Sequence, residues 1–349
     1  MEFATWGYNV SGGFLRASVE QITEWSYEYN RDLTLLADRL GVEFILFPVR
    51  YIGKIGGGDD TSGQLDPLSI TAALAVETEH IHFISAVLPG FIPPATLAKI
   101  GATIDVISGG RWHINLVSGW FQGEQEAFGI PWITHEERYK RSEEYLEVLK
   151  SLWQQKDVTF TGDYYSLKHA QMEPKPVQKP YPKIFQGGNS EEARKMAGRL
   201  SDWYFINGAP QEELIAQVQE VSTIAKSYNR KVQFAVNAFV IARETEEEAK
   251  QELQTIVTHA DENVIQKFKE KVGNAKGMWA NATEISDFVA ANEGFRTGLI
   301  GSYEQVTQKM QQLEEIGINL VLLTFRDPLK ELPTFYEKVQ SKLLQIHSL

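Results

Sequence analysis

Short apolar segments alternate with longer amphipathic segments along almost the whole chain. The short ones are rich in β-branched and aromatic residues and end at glycine, proline or small polar residues, which is typical of buried strands. This pattern predicts strands at residues 3–7, 44–47, 81–87, 112–117, 183–186, 203–206, 232–242 and 320–323. The segments between them carry apolar residues at the spacing of one helix face. They predict helices at residues 24–40, 67–77, 94–108, 136–153, 191–200, 211–228 and 303–316, and from residues 245 and 329 onward.

Three stretches interrupt this alternation. An aromatic-rich stretch at residues 158–167, broken by Gly162 and Asp163, predicts a β-hairpin, and the proline-rich residues 174–182 predict an extended connector. In residues 259–298 the apolar period weakens and small or polar residues such as Gly273 and Gly277 take over, so we expect a lid insertion.

Eight strand–helix steps in one continuous pattern predict a (β/α)8 barrel, in α/β class, formed by a single domain over residues 1–349. A typical barrel needs ~250 residues, which leaves room for the hairpin, the connector and the lid. An open doubly wound sheet is the alternative. It is disfavoured because no Gly-x-Gly-x-x-Gly follows the first strand.

Composition narrows the class of function. The 349 residues, 43% of them hydrophobic, are enough for a large core, and the net charge of −12 argues against a nucleic-acid partner. The absence of cysteine excludes disulfides and thiolate catalysis. No basic and apolar leader precedes the first strand, and no apolar run approaches the length of a membrane span. We therefore expect a cytoplasmic enzyme without a membrane association.

The most informative segment follows the strand at residues 112–117. There a loop leads from Ser118 to a helix whose first turn, Thr134 to Glu137, has capping-box spacing. In parallel α/β proteins ligands bind at the C-terminal ends of strands, so Asn115, Glu124, Arg138 and Tyr139 are candidates for cofactor contacts. Each also has an ordinary structural interpretation. Asn115 could be a strand-end amide with its hydrogen bonds satisfied, Glu124 a solvated loop carboxylate, and Arg138 and Tyr139 part of an exposed helix face.

A second candidate is the strand end Gln186-Gly187-Gly188-Asn189-Ser190, which runs directly into a helix. Glycines and the free N–H groups of a helix N-terminus suit a phosphate, with Ser190 as a further donor, although an ordinary capped turn explains the same residues. Arg50 follows the second strand and could simply pair with a carboxylate. The histidines are dispersed without metal-ligand spacing, so we predict no metal.

Six segments carry a resemblance to a known family: residues 9–13 (NVSGG), 102–105 (ATID), 108–111 (SGGR), 115–120 (NLVSGW), 137–139 (ERY) and 295–302 (FRTGLIGS). The chain resembles the flavin-dependent monooxygenases of the bacterial luciferase-like superfamily, in the branch of dimethylsulfone, alkanesulfonate and pyrimidine monooxygenases. Residues 25–30, 184–188 and 201–205 are most similar to the dimethylsulfone subfamily. The resemblance covers nearly the full length and implies a (β/α)8 barrel with an insertion in its C-terminal half.

The resemblance also implies a cofactor, partners and site residues. FMN, supplied as FMNH2 by a separate NAD(P)H-dependent FMN reductase, would react with O2, and the chain would form a homo-oligomer, a dimer or tetramer. The implied FMN contacts are Val49, Arg50, Asn115, Glu124, Arg138, Tyr139 and Ser190, with the last three at the phosphate. Arg296 matches a lid arginine that closes over reduced flavin in relatives, and with Asn115 is the candidate for a catalytic role.

The substrate is harder to predict than the chemistry. Trp6, Asn9, Trp120 and Phe121 lie at or just beyond strand ends and suit a small neutral sulfone, whereas Arg326 could offer a cation to a sulfonate. The glycine-rich, acidic residues 52–60 and the strand end around Arg326 depart from the dimethylsulfone pattern. We expect dimethylsulfone, cleaved to methanesulfinate and formaldehyde, ahead of alkanesulfonates and pyrimidines. A deazaflavin-dependent hydride transferase and a non-catalytic flavin-binding protein are the alternatives from other classes.

Overall fold

The computed structural model describes residues 1–53, 63–272, 279 and 282–347. Most of the glycine-rich, acidic residues 52–60 and the glycine-rich residues 273–277 of the predicted lid lie outside the described residues. Within the described part of the chain no helix is long and apolar enough to cross a membrane.

A closed parallel barrel organises the molecule, and it confirms the predicted fold. The strands are β1 (Glu2–Trp6), β2 (Phe44–Phe47), β3 (His82–Val87), β4 (Trp112–Leu116), β5 (Val158–Thr161), β6 (Ser166–Ala170), β7 (Ile184–Gly187), β8 (Trp203–Ile206), β9 (Gln233–Phe239), β10 (Ile241–Arg243), β11 (Ile300–Ser302) and β12 (Leu320–Thr324). Eight of these close the barrel in the order β1-β12-β9-β8-β7-β4-β3-β2. Their side chains are almost wholly buried, which explains why the sequence shows continuous apolar runs rather than alternation.

Helices lie around the barrel and over its mouth. They are α1 (Tyr27–Leu40), α2 (Pro67–Ala75), α3 (Pro94–Ile107), α4 (Gln122–Ala127), α5 (His135–Gln154), α6 (Glu191–Leu200), α7 (Gln211–Ser227), α8 (Glu246–Thr258), α9 (Glu262–Val272), α10 (Ile285–Val289), α11 (Tyr303–Glu315), α12 (Pro328–Phe335) and α13 (Ser341–His347). Residues Ala291–Thr297 form a 3-10 stretch and Tyr336–Gln340 a π-helical turn. The predicted capping box is present, because Thr134 accepts from the Glu137 N–H and the Glu137 side chain accepts from the Thr134 N–H.

Two small sheets lie outside the barrel. The antiparallel pair β5–β6 is the predicted hairpin, with its turn at residues 162–165. The predicted strand at residues 232–242 is instead two strands, since β9 ends at Phe239 and β10 pairs in parallel with β11 away from the barrel. This second pair ties the end of the lid segment to the barrel wall.

Two sequence-based expectations about loops are wrong. The segment after β4 was expected to be a loop, but it contains α4, and Glu124 lies in that helix. The apolar period was expected to be weak throughout residues 259–298, but α9 buries Ile265, Phe268 and Val272 on one face. Its short apolar stripe is surrounded by charged residues, which lowers the mean hydropathy of the segment and conceals the period.

Candidate active site

A cavity opens at the C-terminal ends of the barrel strands, where ligands bind in this fold. Its floor is made by strand residues, namely Trp6, Leu46, Ala86, Asn115, Gly187 and Phe205. Residues 259–298, the predicted lid, form the opposite wall with the α9 side chains Val264, Lys267, Phe268 and Lys271 and with Ala291 and Asn292. The barrel and the described part of residues 259–298 therefore enclose the cavity together.

One end of the cavity is built around a buried guanidinium. Arg138, on the first turn of α5, is 3% exposed. Its Nε donates to the Gly119 carbonyl at 3.1 Å, its Nη1 donates to the Ile133 carbonyl at 2.7 Å, and the group stacks over the Trp132 ring at 3.9 Å. Burial lowers the pKa of Arg138 from its usual value. Within the described residues none of its hydrogen bonds goes to a carboxylate, so the cation suits an anionic ligand.

Tyr139 and a glycine turn complete this end. Burial raises the pKa of the Tyr139 phenol, so it stays protonated and can donate a hydrogen bond. Gly188 has φ +119°, and a Cβ there would lie 2.7 Å from the Tyr139 hydroxyl. The backbone is thus bare where Tyr139, β7 and α6 meet, which is the geometry that lets a phosphate approach closely.

Ser190 lies behind this surface, because it is not among the cavity-lining residues. Its hydroxyl accepts from the Ala193 N–H at 3.2 Å as the N-cap of α6, and it lies 3.0 Å from His135 Nε2. His135 itself lines the cavity and also contacts Glu192 at 3.1 Å. The serine therefore both starts α6 and orients a histidine that faces the cavity.

The middle of the cavity is lined by Val49, Arg50 and Asn115. The Asn115 side-chain oxygen is buried and has no hydrogen-bond partner in the described structure. A buried amide oxygen without a partner is unfavourable, so this atom marks a place where a ligand donor belongs.

Glu124 is buried beneath Arg50 and does not line the cavity. Its carboxylate accepts from the Tyr51 N–H at 2.7 Å and lies 3.3 Å from the Arg50 Nη1. The expected alternative of a solvated Glu124 carboxylate is therefore wrong. Arg50 does pair with a carboxylate, as its ordinary interpretation expected, and it also lines the cavity. Glu124 holds the residues that follow β2 in place, and through them it positions Arg50.

An aromatic wall forms another part of the cavity. Trp120 stacks on Phe121 at 5.7 Å and contacts Phe268 and Trp279, both at 6.2 Å. The Arg50 guanidinium lies 4.6 Å from the Trp120 ring, and that of Arg16 lies 3.5 Å from the Phe268 ring. Phe121 supports Trp120 from outside the cavity lining.

Three further predicted residues lie away from the cavity lining. Asn9 is fully buried and donates to the carbonyls of Pro48 and Leu65 at 2.8 Å, so it fastens the chain after β1 to the loop after β2. Arg326 lies 3.7 Å from Glu252. Arg296 forms ion pairs with Glu213 at 2.6 Å and Glu293 at 2.8 Å.

Sequence reasoning missed several cavity residues: Arg16, His135, Asn207, Lys267, Lys271 and Asn292. His135 was within reach, since it shares a helix face with Arg138 and Tyr139 at i, i+3 and i+4. Lys267 and Lys271 have the same relation on α9, but that helix was not expected. Nothing in the sequence around Arg16 distinguishes it from a surface arginine.

The cavity has the opposite charge to the molecule. Five of its described lining residues are Lys or Arg and none is Asp or Glu, although the chain carries a net charge of −12. Burial and the neighbouring Arg50 lower the pKa of Arg16 to about 9. Over the residues that the structure describes, no group of three His, Asp or Glu could hold a metal ion. The arrangement suits an anionic, partly aromatic ligand.

The family model described as luciferase-like monooxygenase matches residues 1–320. The chain belongs to that family. It is 43% identical to an FMNH2-dependent dimethylsulfone monooxygenase of Pseudomonas putida, over 93% of this chain and 90% of that one. It is 40% identical to the enzyme of the same name from Pseudomonas fluorescens, over 97% and 93%. Among solved structures, a long-chain alkane monooxygenase superposes with a TM-score of 0.85 at 20% identity, covering 99% of this chain and 92% of that one, which shows a common fold.

Proposed function

We propose that this luciferase-like monooxygenase uses FMNH2 and O2 to oxidise a small organosulfur compound, with dimethylsulfone as the preferred substrate. The observation that carries the proposal is a cavity at the barrel mouth that combines a buried cation with an aromatic wall. The cation is a buried Arg138 without a carboxylate partner among the described residues, and Trp120 and Phe121 belong to the aromatic wall. The names of the two Pseudomonas relatives support the choice of cofactor and substrate.

The residues around Arg138 fit the FMN phosphate. Arg138 and the Tyr139 hydroxyl would donate to it, the bare backbone at Gly188 would let it approach, and Ser190 would support it through His135. Val49, Arg50 and Asn115 would lie along the ribityl chain and the ring, where the unpartnered Asn115 oxygen would gain a donor. Glu124 would act by holding Arg50.

Reduced flavin supplies the electrons that activate O2, and oxidation of dimethylsulfone would yield methanesulfinate, formaldehyde and water. The chain's own part is to bind, orient and exclude water. Trp6 and Trp120 line the substrate region, with Phe121 supporting Trp120, and the lid covers it from the other side. Because Asn9 lies beneath the loop after β2 and Arg326 lies next to Glu252, we assign both a supporting role in shaping this region.

The name FMNH2-dependent, carried by the relatives, implies a separate reductase, and an NAD(P)H-dependent FMN reductase is the proposed partner. A homo-oligomer is proposed as well. Arg296 would hold the lid closed over bound flavin through its two ion pairs.

The test is oxygen-dependent turnover with photoreduced FMN, which needs no reductase. Dimethylsulfone, methanesulfonate, longer alkanesulfonates and uracil are compared at equal concentration, with formaldehyde and sulfinate measured as products. We expect dimethylsulfone to react fastest. Faster turnover of methanesulfonate or uracil would contradict the substrate and leave the chemistry standing, whereas oxygen-independent turnover would contradict the monooxygenase.

A further inference from the structure

Two consecutive residues of the lid segment adopt a left-handed backbone without being glycine. Asn292 has φ 51° and ψ 35°, and Glu293 has φ 56° and ψ 30°. Asparagine enters this region more easily than most residues, but glutamate does so rarely. Such a pair persists only where the surrounding structure enforces it, and enforced strain of this kind concentrates at functional sites.

The loop after β8 enforces the conformation. The Gly208 N–H donates to the Asn292 carbonyl at 2.9 Å, and a Cβ at Gly208 would lie 1.9 Å from the Glu293 carbonyl oxygen. The Glu293 carboxylate accepts hydrogen bonds from the Asn207 amide at 3.1 Å and from Arg296 at 2.8 Å. Residues 292 and 293 are therefore held by the Gly208 backbone and by the side-chain hydrogen bonds of Glu293.

Asn237 on β9 joins this pair to the cavity floor. Its side-chain oxygen accepts from the Trp6 indole N–H at 2.9 Å, and because an indole nitrogen can only donate, the orientation of the Asn237 amide is fixed. The Asn237 NH2 group then donates to the Asn292 carbonyl at 3.2 Å. The buried Asn237 amide thus fixes the position of the Asn292 backbone relative to the Trp6 side chain.

Asn292 lines the cavity, and its own carboxamide makes no hydrogen bond within the described residues. Its backbone carbonyl is occupied by Gly208 and Asn237, so its polar contribution to the cavity is the side-chain amide. It lies beside β8 and β9, whereas the phosphate end lies at β4 and β7. The amide therefore belongs to the part of the cavity away from Arg138.

We propose that Asn292 is a specificity-determining residue whose amide N–H donates to an oxygen of the organosulfur substrate, and that Asn237 is its positioning residue. The inference rests on the proposed function, because a sulfonyl group presents two acceptor oxygens and no donor. In this proposal, the strained left-handed backbone at residues 292 and 293 is what places the Asn292 amide at this position in the cavity.

The test compares Asn292→Gly with Asn292→Asp. Glycine takes the left-handed conformation without cost but removes the amide, and aspartate keeps the shape but replaces the donor with a charge that repels sulfonyl oxygens. We expect Asn292→Gly to raise the KM for dimethylsulfone about fivefold or more, as for one lost hydrogen bond. Asn292→Asp should raise it further. Reduced-FMN affinity and thermal stability should not fall in Asn292→Gly. Asn237→Asp, which can still accept from Trp6 but cannot donate to Asn292, should raise KM with unchanged flavin affinity.

The matched control is Asn229→Gly, since Asn229 is left-handed as well, with φ 54°, but exposed beyond α7. It should leave KM unchanged. An unchanged KM in Asn292→Gly, or a loss of reduced-FMN affinity in its place, would overturn the inference.

Binding separates this inference from the proposed function. Equilibrium binding of dimethylsulfone to the flavin-free protein is followed by tryptophan fluorescence, since Trp6, Trp120 and Trp279 line the cavity. A wild type that binds dimethylsulfone without oxidising it would contradict the proposed function, while weaker binding by Asn292→Gly would still support the contact. Equal binding by both proteins, or binding by neither, would overturn it.

Discussion

At the scale of single residues, Arg138 should contribute most to flavin affinity. Replacing it with alanine removes a buried cation from the proposed phosphate site, and a hydrogen bond to a charged group contributes about 1.5–3 kcal/mol. Ser190→Ala should cost about 1 kcal/mol, since a neutral hydroxyl is lost and His135 loses one of its contacts. Anaerobic titration with reduced FMN measures both.

Reduced riboflavin is the control for Arg138, because it has the same ring and lacks the phosphate. Arg138→Ala should weaken FMN binding and leave riboflavin binding nearly unchanged. Arg138 also bonds two carbonyls, so a loss that is equal for both flavins would mean that the substitution acts through the fold. Equal FMN titrations for wild type and Arg138→Ala would refute the phosphate assignment.

Single residues also show why the site was only partly predictable. The sequence placed Arg138 and Tyr139 on a helix after β4, and the resemblance assigned them a ligand, but neither could show that Arg138 is 3% exposed. The burial of Glu124 depends on contacts with Tyr51, 73 residues away in the chain. Such long-range contacts decide whether a polar residue faces a ligand or supports its neighbour, and one sequence does not contain them.

At the scale of elements, the starts of β3 and β4 hold a histidine pair at the end of the barrel opposite the cavity. His113 Nδ1 accepts from the Lys183 N–H at 3.2 Å, so its proton lies on Nε2 and is donated to His82 Nδ1 at 2.9 Å. Burial holds the pKa of His113 well below its usual value and lowers that of His82. Both rings are therefore neutral in the folded protein.

This pair predicts a loss of stability in mild acid. The unfolded chain takes up protons on these histidines below a pH of about 6.5, whereas the folded chain resists them. Their contribution is thus complete above that pH and is lost as the pH falls, by up to about 1.4 kcal/mol per pH unit for each proton. Urea unfolding at pH 7.5, 6.5 and 5.5 measures the slope, and His113→Gln should flatten it.

The exposed His80 provides the control, since its side chain is 78% exposed and His80→Gln should leave the slope unchanged. Carboxylates titrate equally in all three proteins and cancel from the comparison. A wild-type slope that His113→Gln does not alter would exclude the pair as its source.

We expect Arg296 to hold residues 259–298, the proposed lid, against the barrel. Arg296 joins Glu213 on α7 to Glu293, and its side chain is 12% exposed. Arg296→Ala should speed proteolysis of residues 259–298, reduce the protection given by reduced FMN, and release more hydrogen peroxide per product formed, because a looser lid admits water.

Arg296→Lys keeps the charge but cannot span both carboxylates with one ammonium group, so it should lie between wild type and alanine. Glu213→Gln removes only the α7 contact and should give a similar intermediate result. Cleavage concentrated outside residues 259–298 in every variant, with unchanged coupling, would count against the lid role.

At the scale of the whole molecule, the barrel was predictable because its strands are buried on both faces. Residues 44–47 and 320–323 are apolar throughout, and each run is followed by a helix, so the sequence predicts both type and order. Helix α9 was not predictable to the same degree. Of the three buried residues of α9, Phe268 contacts Arg16 and Trp120, and these partners come together only in the folded barrel.

The same scale sets the last prediction, which concerns salt. The whole chain carries −12, while the described cavity lining carries five Lys or Arg and no carboxylate. The Debye length is about 30 Å at 0.01 M salt, about 8 Å at 0.15 M and about 3 Å at 1 M. The repulsion of the whole molecule therefore acts on the FMN phosphate mainly at the lowest salt, and the cavity acts on it at intermediate salt.

The association rate of reduced FMN, measured by stopped flow relative to reduced riboflavin, should rise from 0.01 M to 0.15 M (about 30 Å to 8 Å of screening) and fall again towards 1 M. Lys267→Met removes an exposed cation from the cavity edge and should lower the maximum. If the ratio of the FMN rate to the riboflavin rate instead falls steadily from the lowest salt, the attraction of the cavity for the phosphate exceeds the repulsion by the net charge at every salt concentration.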